Sequence, residues 1–210
     1  SYFRTEGGDF PAVGSPEYRV LSADDYYCLD EAGEDVPAIA WDKLYHKSLV
    51  DALRYPMGKL HEDEFTTYLA VYRAGKVVAT REALYAYYQN PVGIMLSKWT
   101  PRKLHILEAT ENQIAFARET GNLRLLKKAV RQYIYSTYEQ IGFAKQWDDP
   151  GRGRLLKILR KKLREGLRQG KDFDLFPLCR ERSWMYEEAY PVKPFWWLYG
   201  KLHRGGKRQE

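Results

Sequence analysis

The sequence predicts a mainly α fold: one helical domain of about seven helices, with an acidic extended arm in front and a basic, aromatic extension behind. Three observations carry that prediction. Apolar residues recur at intervals of three and four through much of residues 37–170. Serine, threonine, asparagine, proline and glycine stand where helix starts and stops should fall. Strand-like composition is concentrated in one place, a small β-hairpin candidate near 67–80.

Taken in order, residues 1–36 are rich in Gly, Pro and acids and read as an arm. Within it "SADDYYCL" fits a short helix capped by Ser22, with Asp24 and Asp25 at its positive end. Pro37 suits a first helical turn, and Trp41, Leu44, Tyr45, Ser48, Leu49, Ala52 and Leu53 then form one face that Pro56 ends. Residues 65–80 read two ways. Phe65, Tyr68, Leu69 and Tyr72 keep helical spacing up to Gly75, yet "TTYLAVYR" and "KVVAT" are β-prone runs around a short turn. "TREALYAYYQNP" reads as a helix from Thr80 to Asn90-Pro91. Another opens at Thr100-Pro101, and "TENQIAFARETG" either continues it or restarts it, since Thr110 with Gln113 matches a capping box.

Gly121 ends that helix and Asn122 starts the next. There Leu125, Leu126, Ala129, Val130, Tyr133, Ile134, Thr137, Tyr138 and Ile141 make the best amphipathic face of the chain, closed by Gly142. "DDPGRG" is a turn, with Asp148 or Asp149 as the start of the basic stretch 151–170. Residues 171–210 form a C-terminal extension with one short helix, then "PFWWLY" and a basic tail.

Charge is unevenly spread. Residues 1–40 carry a net −7 and the remaining 170 a net +13. An acidic arm on a basic body implies that the arm shields the basic face or reaches another partner. Cys28 and Cys179 stand too far apart in sequence for a disulfide framework or a zinc knuckle, which fits an intracellular chain with reduced thiols. No apolar run exceeds six residues, well short of a membrane span.

The basic stretch is the most patterned feature. Arg152, Arg154, Lys157, Arg160, Lys161, Lys162, Arg164 and Arg168 surround a stripe of Leu156, Leu159, Leu163 and Leu167, with Glu165 as the lone acid. Without interspersed acids these cations repel one another unless an anion neutralises them, and phosphate does so with release of counterions. Trp196, Trp197 and Tyr199 would add stacking faces or pack against a partner.

Catalytic signatures are lacking. His46, His61, His105 and His203 have no second His or Cys at metal spacing, and His46 reads as solvated. His61, Glu62, Asp63 and Glu64 form the densest polar cluster, which an acidic helix N-terminus explains better than a metal site. Neighbouring carboxylates at Asp24-Asp25, Asp148-Asp149 and Glu187-Glu188 do not face each other on a helix. No P-loop, dinucleotide fingerprint or nucleophile elbow occurs.

The expected function is that of a non-enzymatic helical subunit or adaptor of a larger assembly. It would touch DNA or RNA phosphates through the basic helix, bind other protein subunits and need no cofactor. Two alternatives stand beside it: a peripheral subunit of a membrane-associated complex, and an enzyme without local motifs, such as a small nuclease.

Overall fold

The structure, a computed structural model, describes residues 2–5, 17–27, 38–80, 82, 84–88, 93, 97–173, 175 and 180–191. It is mainly helical, with seven α-helices among the described residues and a small antiparallel sheet. Two compact units divide the chain, residues 1–133 and 134–210.

In the first unit, strand β1 (Tyr2–Thr5) pairs in parallel with β4 (Tyr85–Tyr88). Strand β2 (Tyr18–Ser22) pairs antiparallel with β3 (Lys76–Thr80), in the register Tyr18 to Thr80 and Ser22 to Lys76. Helix α1 (Ala23–Tyr27) follows β2 directly. Ser22 caps it as expected, its hydroxyl accepting the Asp25 amide at 3.0 Å.

The helical reading of residues 65–75 holds, and the β-hairpin near 67–80 does not form: the second run is a strand, but its partner is a distant one. Residues 62–74 form helix α3 (Glu62–Ala74), and the β-prone "KVVAT" is β3, whose partner is β2. Gly75 makes the junction at φ 68°. Its amide closes α3 on the Val71 carbonyl, and its own carbonyl receives the Ala23 amide at 3.1 Å.

Two expected helices are corrected. Over residues 41–53 only α2 (Lys47–Val50) is helical. Local polar groups cut the pattern short: His46 caps at Ser48, Lys43 donates to the Ile39 carbonyl, and Arg54 takes the carbonyls of Val50, Asp51 and Leu53. Leu44 is fully exposed, whereas Trp41 stacks on Tyr85 with ring centroids 4.4 Å apart. The second correction is "TREALYAYYQNP", where residues 85–88 are strand β4. Thr80 there receives the Glu82 amide in a turn and caps no helix. Pairing with β1 outweighs local helix propensity.

Pro101–Leu104 form one 3₁₀ turn that leads into α4 (His105–Glu119). Thr110 lies inside α4 and bonds back to the Ile106 and Leu107 carbonyls, so the helix continues and no capping box restarts it. Helix α5 (Leu123–Lys145) starts on Asn122, whose side chain accepts the Leu125 amide at 2.9 Å, and it runs past Gly142.

The core of the first unit joins Phe65, Tyr68 and Val71 with Leu107, Ile114, Leu125 and Val130, all buried. Phe116 meets Tyr68 at 5.3 Å and Tyr72 at 5.6 Å in tilted or edge-on pairs. In the second unit α6 (Arg152–Lys171) and α7 (Arg180–Ala189) accompany the end of α5. Leu159, Leu163, Leu167, Ile134, Ile141 and Met185 are buried there.

Candidate functional site

The basic stretch folds as expected into one amphipathic helix, α6, with Leu159, Leu163, Gly166, Leu167 and Gly170 on its buried side. Its cations differ in their surroundings. Arg152, Arg154, Lys157, Lys161 and Arg168 are exposed, and 154, 157, 161 and 168 share one outer face at helical spacing. Glu165 faces Lys161 one turn on, at 3.8 Å. Arg160 and Arg164 instead serve the fold. Arg160 donates from Nε and Nη2 to Glu188 at 3.1 and 3.0 Å, while Lys145 reaches the other carboxylate oxygen of Glu188. Arg164 donates to the Ala189 carbonyl at 2.7 Å, satisfying the last turn of α7, and its guanidinium lies over the Tyr190 ring. Lys162 is half-buried. Trp196, Trp197 and Tyr199 lie outside the described residues.

A second concentration of charge lies at the start of α3 in the first unit. The chain enters this helix through two left-handed residues, Gly58 at φ 73° and His61 at φ 58°. Glycine adopts that conformation at no steric cost, but histidine does not. His61 is the one non-glycine residue with positive φ among the described residues. Three contacts to the opening of α4 hold the loop. Lys59 pairs with Glu108 at 2.5 Å, Arg102 donates to the Gly58 carbonyl at 3.1 Å, and the Leu60 amide donates to His105 Nδ1 at 3.0 Å.

The three acids that follow have different surroundings. Glu62 is exposed. Glu64 is tied into the interior: Gln113 Nε2 donates to its carbonyl and to Oε2 at 2.8 and 2.9 Å, and Gln132 donates to Oε1 at 3.1 Å. Burial raises its pKa even so, with the Gln113 hydrogen bond pulling the other way. Asp63 is half-buried between them. Its Oδ1 accepts the Glu64 amide at 2.9 Å, and burial again raises its pKa. His61 is pushed the opposite way by the same desolvation, which favours neutral imidazole.

A half-buried carboxylate of raised proton affinity, at a strained turn on a rigid helix, is suited to accept a proton. Glu64 sits beneath it as a hydrogen-bonded support. Sequence inspection found this cluster and read it as an ordinary helix N-terminus. The run of three acids after a histidine was visible, but neither the left-handed His61 nor the contacts from α4 leave a local signature. No group of three metal-ligating side chains occurs among the described residues.

No protein family matches the chain, and no solved structure matches it. Among curated proteins, Glycosyltransferase GlyA of Streptococcus pneumoniae serotype 4 is 32% identical over 83 residues. That segment is 39% of this chain and 12% of the streptococcal protein, so the chain matches only a small part of that relative.

Proposed function

We propose that this chain belongs to a glycosyltransferase and that Asp63 is its proton-accepting carboxylate. The observation that carries this reading is the likeness to a glycosyltransferase segment. The turn at Asp63 supplies a group of suitable chemistry. In sugar transfer an acceptor hydroxyl attacks the anomeric carbon of an activated sugar, the bond to the leaving group breaks, and the hydroxyl proton passes to a base. Asp63 is fixed at a helix start by its bond to the Glu64 amide, and burial strengthens it as a base. Glu64, held by Gln113 and Gln132, keeps that first turn in place.

The test is nucleotide release from a panel of nucleoside-diphosphate sugars, with and without a sugar acceptor. Acceptor-dependent release that falls by about 10²–10⁴ in Asp63→Asn supports the reading. No release across the panel, or release unchanged in the variant, overturns it.

A second reading rests on α6. Arg154, Lys157, Lys161 and Arg168 share an exposed face, an arrangement that fits contact with nucleic-acid phosphates in an adaptor or assembly subunit. A steep fall in oligonucleotide affinity with salt, flattened when these four become Gln, supports it. No binding at low salt removes it and leaves anionic vesicles as the next probe.

A further inference from the structure

We propose that His105 is a positioning residue for the acidic turn: its ring Nδ1 accepts the Leu60 amide hydrogen and so holds the Gly58–His61 loop in the left-handed path that starts α3. The inference builds on the reading of Asp63 as the reacting group. It stands on a contact between residues 45 positions apart that ties the loop to the first residue of α4.

The acceptor must be the neutral ring protonated at Nε2. An imidazolium carries hydrogens on both nitrogens and has no lone pair left for an amide. Every element around the ring bears on that choice. Lys59 from the loop and Arg102 from the 3₁₀ turn disfavour a charge on it, as does its place at the start of α4, where the helix dipole is positive. Lys103 flanks it in the same turn, His61 lies on the facing loop, and Glu108, one turn along α4, acts the other way. Burial is the largest influence on the ring, and the balance holds its pKa below the ordinary 6.5.

The loop needs such a tether. His61 sits at φ 58° and ψ 39°, a conformation that costs about 1–2 kcal/mol for a residue with a Cβ. It persists only where its surroundings enforce it. Lys59–Glu108 and Arg102–Gly58 are exposed contacts, whereas the Leu60–His105 bond is partly buried and lies next to the strained residue. When His105 gains a proton the tether is lost, the His61 turn relaxes, and Asp63 loses its fixed direction.

Amide exchange in the full chain tests this at pH 7.5 and pH 5, as protection of the Leu60 and Glu64 amides, with the His105 ring followed by NMR. Wild type should lose about tenfold in protection once the ring is protonated. Asn at 105 places Oδ1 where Nδ1 stood and does not titrate, so His105→Asn should stay protected at both pH values. His105→Ala should be unprotected at both. In sugar transfer at pH 7.5, His105→Ala should lower kcat with KM little changed, and His105→Asn should restore it.

Protection unchanged across ring protonation overturns the tether, as does a His105→Asn variant that follows wild type into acid. Wild-type transfer by His105→Ala overturns the positioning role even where the tether holds. Exchange is read without any substrate, so failure of the glycosyltransferase reading is seen separately, as absence of transfer in wild type.

Discussion

The acidic turn and the basic helix are the two densest runs of charge in the chain, and the fold treats them in opposite ways. At His61–Glu64 the charges are drawn inward, onto a strained turn, and burial shifts three of the four side chains toward their neutral forms. On α6 most cations face outward, and of the three half-buried ones Arg160 and Arg164 are matched by Glu188 and the end of α7. Charge density alone therefore does not decide how a charged run is housed. Desolvation and strain cost stability and persist only where the structure around them enforces them.

That contrast can be broken by substitution, beginning with the largest effect. Leu163 is fully buried on the apolar side of α6, so Leu163→Ala should destabilise the second unit by about 2–5 kcal/mol in denaturant unfolding. A loss under 1 kcal/mol would mean that α6 is not packed as described. Glu188→Gln removes the carboxylate shared by Lys145 and Arg160 and should cost about 1–3 kcal/mol, since the side chain is 13% exposed. An unchanged midpoint would show that these cations are as solvent-facing as their neighbours. Changing Arg154, Lys157 and Lys161 together to Gln should leave stability within about 0.5 kcal/mol, because all three are exposed. A large change would place them in the fold rather than on its surface.

Much of the helical framework was legible in the sequence because it rests on local chemistry. Ser22 and Asn122 act at the helix ends where their side chains predict, and Gly75 where its freedom at positive φ does. The α5 and α6 faces follow from spacing alone, with Leu125, Ile134, Leu159 and Leu163 buried as that spacing requires. The misread segments are those decided by distant partners. Residues 85–88 are a strand because residues 2–5 lie beside them, and Trp41 leaves its expected helical face to stack on Tyr85. Eight of the cations of α6 were found, yet the service of Arg160 and Arg164 to α7 depends on residues 25 or more positions away. Likewise Asp63 was seen only as one acid among three. What sets it apart is the left-handed His61 and the tether from His105, both tertiary.

If the turn gives up stability for chemistry, Asp63→Asn should show both sides at once. Below the ordinary carboxylate value of 3.8 Asp63 is protonated whether the chain is folded or unfolded, so wild type and variant should be about equally stable. As pH rises, the unfolded chain releases this proton first, because burial raises the folded pKa, and wild type loses stability that Asn keeps. At pH 7 the variant should therefore be at least as stable as wild type while acceptor-dependent sugar transfer falls by about 10²–10⁴. Transfer at the wild-type rate in a folded Asp63→Asn chain, or a loss of transfer that merely follows a loss of fold, would contradict the assignment of Asp63.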